Sequence, residues 1–186
     1  MPYVTGPEQH SRPAGPEDMP QNEQTTSSVI DIADLPARAG HTLGQSSWHH
    51  ITQDEVDTFA RLTGDEQWIH VDPVRSASGP FATTVAHGYF TLSLSTVFLY
   101  EVVTVRGAGL ILNYGSDRVR FPAPVRVGSR VRALIALPAV KTLAGGFQTT
   151  YRLTYEVEGQ VKPGCVADIL FHYYVDVPGG SGGTRA

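Results

Sequence analysis

Asp65 and His70 lie five residues apart in Thr63-Gly64-Asp65-Glu66-Gln67-Trp68-Ile69-His70-Val71-Asp72-Pro73, and seventeen residues beyond His70 stands Ala86-His87-Gly88-Tyr89. A carboxylate and an imidazole at that separation can meet around one water molecule, one group orienting it while a proton moves to or from the other. Histidine suits such work because its ordinary pKa of about 6.5 keeps both protonation states within reach near neutrality. An isolated Asp-His pair also has a structural reading, in which the carboxylate after Gly64 caps a helical turn. Other clusters are weaker. In Trp48-His49-His50 adjacent strand residues point to opposite faces and no third ligand has suitable spacing, so no metal site is expected. Cys165 sits in an apolar run and is expected to be a small buried hydrophobe.

The elements that must position the pair can be read around it. Thr52-Gln53-Asp54-Glu55 has the form of a capping box and predicts a short helix with Val56, Phe59, Ala60 and Thr63 on one face. Gly64 is placed to end that helix in the left-handed conformation. From Asp65 to Thr84 the chain reads as a long irregular loop, with one helical turn starting at Asp72-Pro73. Long ordered loops in compact domains are often functional. Ala86 to Tyr100 contains no Asp, Glu, Lys or Arg and reads as a buried helix, too short and too rich in Ser and Thr for a membrane span, which takes roughly 20 apolar residues. Period-two alternation follows at Leu110, Leu112, Tyr114, Val119, Phe121, then Val131, Ala133, Ile135, and β-rich runs cover Phe147 to Val157 and Val166 to Val175. Together these predict an α+β fold in which an antiparallel sheet packs around one hydrophobic helix.

The chain has 186 residues, enough for one domain with a sizeable core, and its 41% hydrophobic and 17% charged residues exclude a wholly disordered protein. With a net charge of −4 and no run of Lys or Arg, neither a nucleic-acid nor a membrane-surface partner is expected. Residues 1–28 hold five prolines and no apolar stretch long enough to bury, so they are expected to form a disordered tail; 178–186 is expected to be flexible, leaving 29–177 as the domain. No secretion signal is legible, and one cysteine allows no internal disulfide, which together fit the cytoplasm.

The Asp65–His70 stretch followed by His87-Gly88 resembles the MaoC-like, R-specific enoyl-CoA hydratases of the hotdog superfamily, most closely the branch related to nodulation protein N. The resemblance covers residues 40–176, including Val119-Arg120-Phe121-Pro122-Ala123-Pro124-Val125-Arg126-Val127-Gly128. It implies a single hotdog fold, a homodimer, and reversible hydration of a trans-2-enoyl thioester of coenzyme A or of a carrier protein, with no cofactor beyond that carrier. Asp65 and His70 are then the catalytic pair, the Gly88 N–H is the oxyanion donor, and Gln67, His87 and Thr96 support the site or line the substrate pocket. Two features depart from the family pattern: Gln67-Trp68 interrupts its usual motif, and Thr96 falls where a central-helix serine is expected. Other readings stay open: a thioesterase on the same fold, a specialised natural-product dehydratase or cyclase, since the motif says little about the acyl tail, and, on the strength of the two departures, a non-catalytic acyl-thioester binder. Arg118, Arg120, Arg126, Arg130 and Arg132 are either coenzyme A phosphate contacts or solvated strand residues. Removing residues 1–28 is expected to leave folding and catalysis intact, as denaturation and activity of the truncated chain would show.

Overall fold

Alternating residues along three long strands build the core. The structure, a computed structural model, describes residues 27–176. β1 (Ser28–Asp31) leads through a 3-10 helix (Ile32–Arg38) to β2 (His41–Gln45) and β3 (His49–His50). Five helices follow: α1 (Gln53–Thr63), α2 (Trp68–Val71), α3 (Pro73–Ala77), α4 (Gly88–Ser93) and α5 (Ser95–Val102). The chain then forms β4 (Val103–Arg106), β5 (Leu110–Arg120), β6 (Arg130–Leu143), β7 (Gly146–Val157) and β8 (Cys165–Tyr174). The main sheet has the order β2-β6-β7-β8-β5, all antiparallel, with β3 also on β6; β1 and β4 make a separate parallel pair.

Val131, Ala133, Ile135 and Leu137 of β6, Leu153 and Tyr155 of β7, and Ala167, Ile169 and Phe171 of β8 are all buried, on the single face that strand alternation gives them. That face wraps around Phe98, Leu99 and Val102 of α5. Tyr155 fastens the two layers: its ring meets Phe98 edge-on at 5.8 Å, and its hydroxyl donates to the Leu92 carbonyl at 3.2 Å. This is the sheet-around-helix arrangement expected of a hotdog fold. Cys165 is fully buried and its thiol is pushed up to about 12 by that burial, so it packs as a hydrophobe. Pro138 sits in the β6 bulge between Ala136 and Ala139, where the missing donor interrupts no regular ladder bond.

The capping box forms as read: Thr52 Oγ1 accepts from the Glu55 N–H, Glu55 Oε2 accepts from the Thr52 N–H, and Gly64 ends α1 at φ +74°. Elsewhere the structure corrects the sequence reading. The helix expected over 86–100 is two helices that run on to Val102 with Leu94 between them. Ser93 Oγ donates to the Phe90 carbonyl at 2.7 Å at this break, a side-chain bond of the kind that bends helices. The expected loop 65–84 contains α2 as well as α3, the latter capped by the Asp72 side chain. Ser28, placed in the tail, pairs with Val103 and donates from Oγ to the Leu43 carbonyl at 2.9 Å. Residues 1–26 and those from 177 onward, where the remaining tail expectations fall, lie outside the described residues. Among the described residues no helix is long and apolar enough to cross a membrane.

Ser28 opens β1 and Ile30 of that strand is buried, so a deletion through residue 28 cuts into β1. Deletion through residue 26 is expected to preserve the denaturation midpoint, whereas deletion through Asp31 is expected to cost about 2–5 kcal/mol, read by chemical unfolding.

Candidate active site

Gly64 releases the chain from α1 into Asp65, and the single turn of α2 then carries His70 back into the interior, where it is 7% exposed. Two hydrogen bonds hold it. The Val85 N–H donates to the Ile69 carbonyl at 2.9 Å, and His70 Nδ1 lies 2.7 Å from the Val85 carbonyl oxygen. A carbonyl only accepts, so Nδ1 carries the proton and Nε2 is left as the basic nitrogen. Gln53, a residue that sequence reasoning missed, locks the backbone behind it. Its Nε2 donates to the His70 carbonyl and to Asp57, both at 2.7 Å, and its Oε1 accepts from the buried Thr84 hydroxyl at 2.6 Å. Nothing in its spacing distinguishes Gln53 from any other first helical residue.

His87 caps α4 and is 2% exposed. Its Nε2 lies 2.9 Å from the Asp65 main-chain carbonyl and, by the same reasoning, donates to it, leaving Nδ1 buried without a hydrogen-bond partner. The His70 and His87 rings stack with centroids 3.7 Å apart and planes 25° apart. Burial holds the His70 pKa below its usual value, and a positive charge on His87 would lower it further; the Val85 carbonyl and Asp65 oppose the shift without reversing it. Potential ligand atoms of Asp65, His70 and His87 all lie within 4.8 Å of one another. Metal ligation requires an ion in the plane of each imidazole, however, and two stacked rings do not direct their in-plane lone pairs to one point. The arrangement suits proton transfer better than shared ligation.

These residues line a cleft of about 370 Å³ together with Phe59, Thr63, Gly88, Tyr89 and Phe121. Phe59 packs on His87 at 5.2 Å and makes an apolar wall. A Cβ on Gly88 would lie 2.9 Å from the Phe121 ring, so only glycine lets that ring close over the start of α4. The Gly88 N–H donates to no acceptor among the described residues. Asp65, His70, His87 and Gly88 are therefore brought together; Gln67 and Thr96 are not. Gln67 is exposed and contributes its main-chain carbonyl to the His70 N–H at 2.9 Å. The Trp68 ring packs against Gly79 and beneath the Arg75 guanidinium at 4.4 Å, so this departure from the family pattern braces the loop. Thr96 lines a second cleft of about 360 Å³, which shares Tyr89 with the first and also presents Ser93, Asn113 and Ser116. Tyr89 and Phe121 are lining residues that the sequence reading did not place in the site.

Residues 34–159 match the MaoC like domain family. The chain is 54% identical over 143 residues to 3-hydroxyacyl-thioester dehydratase Z of Mycobacterium tuberculosis (strain CDC 1551 / Oshkosh), covering 76% of this chain and 95% of that protein. It is 42% identical over 142 residues to Nodulation protein N of Rhizobium leguminosarum bv. viciae, covering 75% and 88%. Among solved structures, R-hydratase PhaJ1 from Pseudomonas aeruginosa in the unliganded form superposes with a TM-score of 0.60 at 17% identity, covering 75% of this chain and 86% of that one. That likeness shows the hotdog fold.

Because His70 binds its proton more weakly when folded than when unfolded, its contribution to stability is complete above about pH 6.5 and is lost as the pH falls from there to the folded midpoint. NMR titration is expected to place the His70 midpoint below 6.5; a midpoint at or above that value would contradict the burial argument. Gln53→Ala leaves the Thr84 hydroxyl buried without its acceptor and is expected to cost about 1–3 kcal/mol in denaturant unfolding.

Proposed function

The chain belongs to the MaoC-like dehydratase family, and from that premise we propose that it reversibly adds water to a trans-2-enoyl thioester, giving the R-3-hydroxyacyl thioester. The observation that carries the reading is the convergence of Asp65 and His70 on one cleft, with the His70 tautomer held by Val85 so that Nε2 is free to accept a proton. Water is oriented between the Asp65 carboxylate and His70. Nε2 takes one proton as the oxygen bonds to the β-carbon; the electron pair of the double bond moves toward the thioester carbonyl; and a proton is returned from the Asp65–His70 site to the α-carbon. Charge developing on the thioester oxygen is held by the Gly88 N–H at the positive end of α4. His87 positions Asp65 through its main-chain carbonyl and does not itself move a proton. Neither direction consumes a redox equivalent, so the carrier of the thioester is the only accessory group the reaction needs.

The protein acts as a homodimer. β5 is an edge of the main sheet with exposed Ile111, Leu112 and Tyr114, and Tyr89, Val97 and Tyr100 of the adjoining helices are exposed as well. Antiparallel pairing of β5 with a second copy covers these apolar groups and satisfies the open strand edge.

Asp65→Asn and His70→Ala are each expected to lower kcat/KM for enoyl-thioester hydration by about 10²–10⁴ in a chain that still folds, with the thermal midpoint of His70→Ala lowered because the buried Val85 carbonyl loses its donor. Full activity in either folded variant overturns the assignment. Wild-type turnover is expected to consume the enoyl absorbance without releasing thiol; thiol release at the same rate identifies a thioesterase, and tight binding without turnover an acyl-thioester binder. The acid limb of kcat/KM is expected below about pH 6.5, since His70 must be neutral to act as base. Light scattering is expected to give the mass of two chains.

A further inference from the structure

The alternation of β5 is broken just before the chain reaches Phe121. Ser116 pairs with Ile169 on the core side of the sheet and Asp117 with Asp168 on the outer side, and the next pair is Arg120 with Val166. Arg118 and Val119 therefore stand opposite Ala167 alone, which makes a β-bulge. Arg118 is at φ +51°, in the left-handed region where a bulge of this kind commonly has glycine. Its side chain reaches Asp168 on the outer face, next to Asp117, while Val119 packs against the core. The extra residue reverses every facing beyond it. In an unbroken strand Phe121 would share the outer face with Asp117; with the bulge it turns to the helix side, lines the catalytic cleft and closes over Gly88.

A buried carboxylate holds the arginine in that conformation. Asp168 is 1% exposed. It accepts from Arg118 Nε at 2.7 Å, from Arg152 Nε at 2.8 Å and from Arg152 Nη2 at 3.0 Å. Left-handed backbone is unfavourable for a residue with a Cβ, and a charge-assisted bond to a buried carboxylate offsets that strain. Arg118 is therefore neither a phosphate contact nor a solvated strand residue. Asp168 faces away from the core side of the sheet and takes no part in the steps at Asp65 and His70.

We propose that Asp168 is a positioning residue for the reaction, acting through the Arg118 bulge to set Phe121 over Gly88. This rests on the reading of the Gly88 N–H as oxyanion donor. The Phe121 ring meets Tyr89 edge-on at 6.2 Å and covers the start of α4, so it keeps water from that N–H and leaves the donor to the thioester oxygen. The gain is realised as charge develops on that oxygen, so it belongs to kcat and not to KM.

The test turns on two substitutions at one position. Arg118→Gly and Arg118→Val both remove the guanidinium, but glycine adopts the left-handed conformation freely and a β-branched residue resists it. With trans-2-butenoyl-coenzyme A, kcat of Arg118→Val is expected to be about tenfold below that of Arg118→Gly, with KM equal within about twofold. Asp168→Asn is expected to lower kcat by a similar factor, and Arg118→Gly added to it is expected to restore most of the loss, a rescue that the mere absence of an ion pair does not give. The NMR contact between the Phe121 ring protons and the Gly88 α-protons reports the positioning without turnover. It is expected in the wild type and in Arg118→Gly and is expected to be lost in Arg118→Val. Equal kcat in the two Arg118 variants, or an unchanged contact in Arg118→Val, overturns the proposal whether or not Asp168→Asn folds. If the wild type turns over no thioester while the contact is kept and lost as expected, the hydratase reading falls and the coupling of Asp168 to Phe121 stands.

Discussion

Everything at the cleft depends on how the peptide groups of Ile69, His70 and Val85 are crossed. The Val85 N–H is given to Ile69 and the Val85 carbonyl accepts from the His70 ring, so one residue holds both the backbone position and the tautomer of His70. The neighbouring residues extend the clamp in both directions. Ala86 is bonded to Val125, and Gln53 ties the His70 carbonyl to α1 and to Thr84. The segment that enters α4 is therefore registered against the Asp65–His70 loop before α4 begins, and Gly88 follows at a fixed place.

The electrostatics follow from that geometry. A carboxylate beside an imidazole normally raises its pKa, yet burial of His70 outweighs the Val85 carbonyl and Asp65 and keeps the ring's pKa below its usual value. Neutral His70 with its proton committed to Val85 has one basic nitrogen. Asp65 stays exposed at the other side of the site, held there through its own main chain by His87. The loop that carries Asp65 and the helix that begins at Gly88 are joined by a buried histidine, His87.

Much of this was legible in the sequence, for identifiable reasons. The capping box, Gly64 and the period-two strands are local signals, and local hydrogen bonds or alternation enforce them in the fold. The proximity of Asp65, His70 and Gly88 was legible through the motif they share with a known family. What failed to show were features made by long-range contact. Gln53 acts through His70 and Thr84, which are distant along the chain, and Phe121 enters the site because it packs on Gly88. Gln67 and Thr96 illustrate the converse: each belongs to a motif by position, but the turn of α2 points one outward and the bend at Leu94 delivers the other to a neighbouring cleft. The short strands β1 and β4 lack internal periodicity and exist because each pairs with the other.

The central claim is that Asp65 and His70 work through one water on one face of the double bond. Its most direct measurement is the NMR stereochemistry of the product formed from a trans-2-enoyl thioester in deuterated water. The account predicts a single R-3-hydroxyacyl product with one deuterium at the α-carbon, added to the same face as the hydroxyl. A product of S configuration, or deuterium on the opposite face or on both, would contradict it.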